Sequence, residues 1–294
     1  MAPDDPNPRT GFKPARPFGD DDICNPLTPG KGRHHLYISY ACPFSHRAHL
    51  MVNLLSLHDY VSVSSVAPVR DDRGWVFDAD WPDDVNGVSA LRDLFPDTGN
   101  GAPRRVSVPV LWDRWENQVT HTGSADIAMQ FAEHFASVSP TPEELVPSHL
   151  RDDIERMNVW LHTEVNRPPY QAGFAQDQQT YEKFARRLFE TLDGLDARLA
   201  QQPWLHGNAM TLSDLFLFPT LVRFEPVYQT HFKLNVHPLS CYQHLYRYMQ
   251  RMLADDRIRE TVDVDYSKRH YFETHTQINP NGIVPLGPPL PWGV

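Results

Sequence analysis

Cysteine is scarce in this sequence, and long hydrophobic runs are missing. The three cysteines, Cys24, Cys42 and Cys241, are odd in number and far apart. This pattern argues against a disulfide framework and predicts a reducing, cytoplasmic location. No apolar run approaches the roughly 20 residues of a membrane-spanning helix. The first 22 residues have no apolar signal core, so we expect no membrane partner.

Positive charge is also in short supply. The chain has 27 Lys and Arg against 37 Asp and Glu, a formal net charge of −10. Nucleic acids and anionic membranes bind clustered Lys and Arg, so we expect neither as a partner. The hydrophobic fraction of 40% is that of an ordinary globular protein, and 294 residues suffice for one large or two ordinary domains.

The first half alternates between strand-like and helical patterns. An extended, Pro/Asp-rich arm (1–33) precedes a domain at 34–138, which a long insertion at about 70–105 interrupts. The order of strand, helix, strand, two further strands and a helix predicts a thioredoxin-like fold. The predicted strands are 34–40, 61–69, 107–113 and 117–122, and the predicted helices are 45–57 and 124–136.

The second half is helical. A Pro/Ser-rich linker (139–150) leads into an all-helical domain (151–264), and a C-terminal extension (265–294) ends in a Pro/Gly-rich tail. Thr211 and Asp214 have the spacing of a capping box that opens a helix. The predicted fold class is therefore an α/β domain followed by an all-α domain. Its helices are predicted at 151–165, 177–201, 211–224 and 239–254.

Cys42 stands in the stretch "ISYACPFSHR" (38–47), where a strand ends and a helix begins. At a helix N-terminus a thiolate meets unpaired backbone N–H groups and the positive end of the helix dipole. Both favour the nucleophilic anion, and Pro43 suits the first helical position. Ser45 replaces the second cysteine of a redox dithiol, so the predicted chemistry is monothiol. The stretch alone leaves open a second interpretation, a small buried hydrophobe.

A cysteine at the first strand–helix junction, in a thioredoxin-like half followed by a helical half, resembles the omega-like cytosolic glutathione transferases. Six segments are more specific, and they resemble the Xi class, the S-glutathionyl-hydroquinone reductases. The resemblance spans nearly the whole chain from about residue 34. The segments are "YACPFSHR" (40–47), "GWVF" (74–77), "RVSVPVLWD" (105–113), "YQAGFA" (170–175), "LVRFEPVYQTHFK" (221–233) and "HYFETHTQINPNGIVPLGP" (270–288).

The resemblance implies an enzyme with glutathione as co-substrate, a glutathionyl-quinol as substrate, no metal and a homodimeric assembly. Cys42 would form a mixed disulfide with glutathione, which a second glutathione resolves. Tyr170 and Tyr271 match the family's tyrosines near the quinol, where each offers a flat face and one O–H group. For each tyrosine the alternative is a core residue with a satisfied hydroxyl.

The resemblance also implies a thiol-binding set. Val108-Pro109 matches the cis-proline position of thioredoxin-like folds, and Ser124 opens a helix whose N-terminus can receive a carboxylate. Trp75 could instead only cover the insertion, and Arg105 could be a solvated charge at a strand edge. The predicted set is Trp75, Arg105, Val108, Pro109, Gly123 and Ser124.

Gly123 departs from the family, which usually has a glutamate there to hold the amino end of glutathione. Losing that carboxylate would cost about 1–3 kcal/mol, and Asp126 would compensate only partly. Two alternatives therefore stay open: an omega-like thioltransferase with another thiol, such as mycothiol, or another acceptor, and a non-catalytic binding protein. His46 and His49 lack the further ligands that a metal site requires.

Overall fold

The strands form one mixed sheet in the order β2-β1-β3-β4. The strands are β1 (His34–Ile38), β2 (Val61–Ser65), β3 (Val110–Asp113) and β4 (Gln118–His121). β1 runs parallel to β2 and antiparallel to β3, and β3 is antiparallel to β4. The computed structural model describes residues 26–95 and 106–290. Its contacts divide the chain into two units between Glu143 and Glu144.

Helices cover one face of the sheet. β1 leads into helix α1 (Pro43–Leu54), and β4 leads into helix α2 (Ser124–Gln130), which packs against α1. The chain continues from α2 through a π turn (Phe131–Phe135) and a 3-10 turn (Ala136–Val138). This βαβ–ββα order confirms the thioredoxin-like fold expected from the sequence.

The insertion between β2 and β3 covers the opposite face. Side chains alternate along a strand, so Tyr37 of β1 and Val110 and Trp112 of β3 share one face. They form a buried cluster with Trp75 and Phe77 of the insertion. In residues 66–95 and 106–109 the only helical turn described is a short 3-10 turn, Leu91–Leu94.

The second unit is helical, as expected. The helices are α3 (Arg151–Leu161), α4 (Pro168–Gly173), α5 (Gln178–Leu199), α6 (Leu212–Arg223), α7 (Gln229–His231), α8 (Gln243–Leu253), α9 (Asp256–Arg259) and α10 (Val264–Thr274). π turns follow α3 (His162–Asn166) and α6 (Phe224–Tyr228), and 3-10 turns occur at Ser148–Leu150 and Leu239–Cys241. Residues 283–290 have no regular secondary structure.

The capping box at the start of α6 is confirmed. The Asp214 carboxylate accepts the Thr211 backbone N–H at 2.7 Å and the Thr211 hydroxyl at 3.0 Å. The helix predicted at 239–254 begins later, at Gln243, because Tyr242 has extended backbone angles that separate it from the preceding turn. Cys241 lies in that 3-10 turn.

Candidate active site

Cys42 is the N-cap residue of α1. Its backbone is extended (φ −82°, ψ 114°), and its sulfur accepts the Ser45 backbone N–H at 3.4 Å. Pro43 occupies the first helical position, where no intrahelical N–H bond is lost. The side chain is half-buried. The sulfur therefore lies where a backbone donor and the helix dipole stabilise a thiolate.

Two residues of the predicted thiol-binding set, Val108 and Trp75, belong to the cluster against which Cys42 packs. The Val108–Pro109 peptide bond is cis, and the Val108 carbonyl oxygen lies 3.7 Å from the Cys42 sulfur. Trp75 is 8% exposed in the cluster against which Cys42 packs. The Arg70 guanidinium lies over the Trp75 ring, 5.0 Å from its centroid. Cys42, Trp75 and Val108 are thus brought together, although they are far apart in sequence.

Gly123 and Ser124 lie at the start of α2. Gly123 is the N-cap residue, and its carbonyl accepts the Ile127 N–H at 2.9 Å. Asp126 is the acidic residue of the first turn, and its carboxylate lies 3.5 Å from the His121 ring. Asp126 stands three positions beyond Gly123, so it is a poor substitute for a glutamate at position 123. Arg105 and Cys24 lie outside the described residues.

Tyr170 and Tyr271 are joined by a hydrogen bond in the helical unit. Their hydroxyl oxygens lie 2.5 Å apart, with Tyr170 on α4 and Tyr271 on α10. Tyr170 is half-buried, whereas Tyr271 is 2% exposed. Burial raises the pKa of Tyr271 well above 10, and the neighbouring Tyr228 hydroxyl acts in the same direction. Tyr271 is therefore a neutral hydroxyl at physiological pH.

Aromatic residues that the sequence did not single out surround this pair. Tyr228 meets Tyr271 edge-on at 5.9 Å between ring centroids and stacks on Phe232 at 5.5 Å. His231 Nε2 lies 3.1 Å from His275 Nδ1, and both rings contact Tyr271. The segments 221–233 and 270–288 had suggested this region through resemblance alone. The spacing of the residues did not predict these aromatic contacts, because Tyr228 lies in a π turn, where the periodicity of an α-helix does not hold.

Among the described residues, the two histidines of the first helix belong to no cluster that could hold a metal ion. In residues 26–95 and 106–290, no group of three or more His, Cys, Asp or Glu side chains could hold a metal ion. His49 is buried, and burial lowers its pKa to about 4. Across the same residues, no helix has both the length and the apolar character needed to cross a bilayer.

Comparison with known proteins agrees with this geometry. Residues 41–134 match the glutathione S-transferase N-terminal domain, and residues 178–251 match the C-terminal domain of the same family. The glutathionyl-hydroquinone reductase PcpF of Sphingobium chlorophenolicum is 36% identical over 265 residues, which cover 88% of this chain and 85% of PcpF. Glutathionyl-hydroquinone reductase YqjG of Escherichia coli is 38% identical over 262 residues, which cover 88% of this chain and 80% of YqjG.

Solved structures extend the match to the whole fold. The glutathione-bound structure of YqjG superposes on this chain with a TM-score of 0.86. The match covers 90% of this chain and 87% of the YqjG chain. The Xi glutathione transferase of Phanerochaete chrysosporium is 36% identical and has a TM-score of 0.86. The match covers 93% of this chain and 95% of the fungal chain. Both exceed the similarity that a shared fold alone requires. The chain therefore belongs to the glutathione transferase family, within its Xi class.

Proposed function

We propose that this protein is a glutathione-dependent reductase of S-glutathionyl-hydroquinones. The observation that carries the proposal is the lone sulfur of Cys42, which accepts a backbone N–H at the start of α1 beside the cis Val108–Pro109 bond. PcpF and YqjG bear the name of this activity, and YqjG has been solved with glutathione bound. A pure binding protein would need no such thiolate.

The first step forms a mixed disulfide. The Cys42 thiolate attacks the sulfur of the glutathionyl group, and the bond between that sulfur and the aromatic ring breaks as the new S–S bond forms. In the keto tautomer the sulfur-bearing carbon already carries a proton, so the electron pair of the broken bond passes to the adjacent carbonyl oxygen, which takes up a proton as the hydroquinone leaves. The thiol sulfurs are oxidised and the ring is reduced.

The second step restores the enzyme. A second glutathione, as its thiolate, attacks the glutathione sulfur of the mixed disulfide. Oxidised glutathione leaves, and Cys42 becomes a thiolate again. In residues 26–95 and 106–290 the other cysteine is Cys241, an exposed residue of the helical unit. An external thiol is the resolving partner in this scheme.

The tyrosine pair supplies hydroxyl groups to the quinol. We assign Tyr170 and Tyr271 to hold a ring oxygen of the substrate and to favour its keto tautomer, in which the carbon that bears sulfur can release it. Burial supports this role, because it raises the pKa of Tyr271 well above 10 and so keeps the proton on this hydroxyl.

Reduction of glutathionyl-menadiol by glutathione tests the proposal. We expect turnover in the wild type, none in Cys42→Ser, and wild-type rates in the matched control Cys241→Ser. With the conjugate alone, mass spectrometry should detect one glutathionyl adduct on Cys42 and one equivalent of released menadiol. A Cys42→Ser variant that retains turnover would refute the assignment of the nucleophile.

A different thiol is the second candidate, and Gly123 favours it. The N-cap of α2 has no carboxylate, and the nearest acidic residue of the first turn, Asp126, lies three positions further along the helix. A thiol without the γ-glutamyl ammonium, such as mycothiol, would not need that carboxylate. Gly123→Glu should tighten glutathione binding by roughly tenfold or more, whereas Gly123→Gln should not. Faster wild-type turnover with mycothiol than with glutathione would favour this candidate.

Assembly and location complete the proposal. We place the enzyme in the cytoplasm as a homodimer, since its few cysteines suit a reducing compartment. Light scattering coupled to size-exclusion chromatography should give twice the chain mass of 33.8 kDa. A single-chain mass at micromolar concentration would contradict the dimer.

A further inference from the structure

Residues 75–91 of the insertion form a hairpin that carries Trp75. The Leu91 N–H donates to the Trp75 carbonyl at 2.9 Å, and the Phe77 N–H donates to the Ser89 carbonyl at 3.0 Å. Val76 and Ala90 form an antiparallel bridge between these bonds. Trp75 therefore lies on one arm of the hairpin, and residues 78–88 close it. The position of Trp75 depends on what holds this hairpin to the sheet.

Asp83 organises the closing segment. It is 7% exposed, and its carboxylate accepts the backbone N–H groups of Val85, Asn86 and Val88 at 3.1–3.2 Å. It also accepts the Tyr37 hydroxyl at 2.8 Å. The Asn86 side-chain amide donates to the Tyr37 oxygen at 2.9 Å. Tyr37 thus both donates to and accepts from the hairpin.

Tyr37 links the hairpin to the strand that leads to the nucleophile. It is a fully buried residue of β1, five positions before Cys42. Its ring meets Phe77 edge-on at 5.7 Å and belongs to the cluster that contains Trp75 and Val108. The buried Tyr37 hydroxyl therefore connects the hairpin that carries Trp75 with strand β1, which leads to Cys42.

We infer that the hydrogen bond between Tyr37 and Asp83 positions the Trp75 hairpin against Cys42 and so sets the affinity of the site for its thiol. Tyr37 and Asp83 are positioning residues that act through Trp75. The inference rests on the proposed function and on the thiol-binding role that the family resemblance implies for Trp75. A hydrogen bond from a neutral donor to a buried carboxylate is among the stronger ones in proteins, so its loss should move the hairpin.

A matched pair elsewhere separates this role from a purely structural one. Tyr248 donates to Asp214 at 2.9 Å, and both residues are fully buried in the helical unit. Tyr248→Phe removes the same kind of bond as Tyr37→Phe, but it does not involve the hairpin. Both variants should lower the melting temperature by similar amounts, and only Tyr37→Phe should change thiol binding.

The first measurement is glutathione binding and steady-state kinetics. In Tyr37→Phe we expect the Kd and KM for glutathione to rise roughly five- to tenfold, with kcat within about twofold of wild type. Asp83→Asn keeps one acceptor oxygen, so it should show a smaller rise. Tyr248→Phe should keep the wild-type KM. Equal KM values for Tyr37→Phe and wild type would overturn the inference.

The second measurement needs no glutathione. Trp75 belongs to the cluster that packs against Cys42, so a displaced hairpin should expose the sulfur and speed its alkylation by iodoacetamide several-fold. Tyr37→Phe should show this acceleration, and Tyr248→Phe should not. Absence of turnover in the wild type would refute the proposed function alone, whereas unchanged alkylation in Tyr37→Phe would refute the positioning role alone.

Discussion

The Tyr170 and Tyr271 hydroxyl oxygens lie 2.5 Å apart although 101 positions separate the two residues in the chain. In such a pair one hydroxyl donates to the other, and the acceptor keeps its own proton for a third group. Hydrogen bonds in series polarise one another. The pair therefore offers a single strengthened O–H donor, which suits a quinol oxygen better than two independent hydroxyls would.

Removing either hydroxyl should therefore cost nearly as much as removing both. We expect Tyr170→Phe and Tyr271→Phe each to lower kcat for glutathionyl-menadiol by roughly 10- to 100-fold. The loss of kcat in the double variant should be much smaller than the product of the two single losses. Tyr242→Phe, which loses a bond to the Phe189 carbonyl, is the control and should keep its rate. Fully multiplicative losses would show that the hydroxyls act independently.

We expect that ionisation of Tyr271 does not reduce turnover at alkaline pH. Burial holds the pKa of this tyrosine well above 10, so its neutral, proton-donating form persists as the pH rises from 7 to 10. Over that range, the tyrosinate absorbance should be the same in wild type and Tyr271→Phe. A difference between them below pH 10 would contradict the assignment.

Gly173 should be intolerant of any side chain. A Cβ atom there would lie 2.0 Å from Cδ1 of Phe232, and the Phe232 ring contacts Tyr170 at 5.4 Å and Tyr271 at 5.8 Å. Gly173→Ala should lower the free energy of unfolding by roughly 1–3 kcal/mol and reduce kcat. Gly194 is the matched helical control, because a Cβ there meets nothing within 4 Å. Gly194→Ala should stabilise by about 0.5–1 kcal/mol.

The stability of the protein should fall as the pH drops below 6.5. Burial lowers the pKa of His231 from 6.5 to about 3, so between these values the unfolded chain binds a proton that the folded chain does not. The contribution of His231 is therefore complete above pH 6.5 and is lost progressively towards pH 3, with about 2.7 kcal/mol lost by pH ~4.5.

His231→Gln should isolate this contribution. Glutamine places an N–H donor near the position of Nε2 and does not titrate, so the urea midpoint should change less between pH 7.5 and 4.5 than in wild type. His35 and His49, with pKa values of about 4, titrate equally in both proteins and cancel. An identical acid dependence would show that His231 is accessible to protons in the folded state.

Asp214, the acidic partner of the N-cap residue Thr211, should be the most sensitive capping-box residue of the helical unit. Its buried carboxylate accepts from the backbone N–H groups of Leu205 and Thr211 and from the hydroxyls of Thr211 and Tyr248. Asp214→Ala would leave these donors unpaired and should destabilise by roughly 3–5 kcal/mol in chemical denaturation. The side chain of the exposed N-cap residue Asp177 accepts the Thr180 N–H, and Asp177→Ala should lower the free energy of unfolding by only about 1 kcal/mol. Equal losses would contradict this.

Local patterns predicted most of the fold and the surroundings of Cys42. The strand–Cys–Pro–helix order fixes the cap position of Cys42, and the Thr211–Asp214 spacing marks the start of α6, because both depend on residues a few positions apart. Helix α10 was not identified as a helix, since it lies in the stretch interpreted as an extension.

The tyrosine and histidine contacts needed the folded chain. Tyr170 and Tyr271 were named only through family resemblance, and His231 and His275 were not named at all. The His231–His275 contact spans 44 positions, and Tyr228 lies in a π turn, where helical periodicity does not hold. No spacing rule reports a contact between residues so far apart.

The nucleophile and the wall beside it are built from different kinds of structure. Cys42 stands between a central strand and a regular helix, whereas Trp75 stands on a hairpin joined by few main-chain bonds and one buried hydroxyl. Evolution can therefore lengthen or reshape the hairpin without shifting the sulfur. Within this architecture, a change in one segment alters the wall beside the sulfur and leaves the helix cap that holds the sulfur in place.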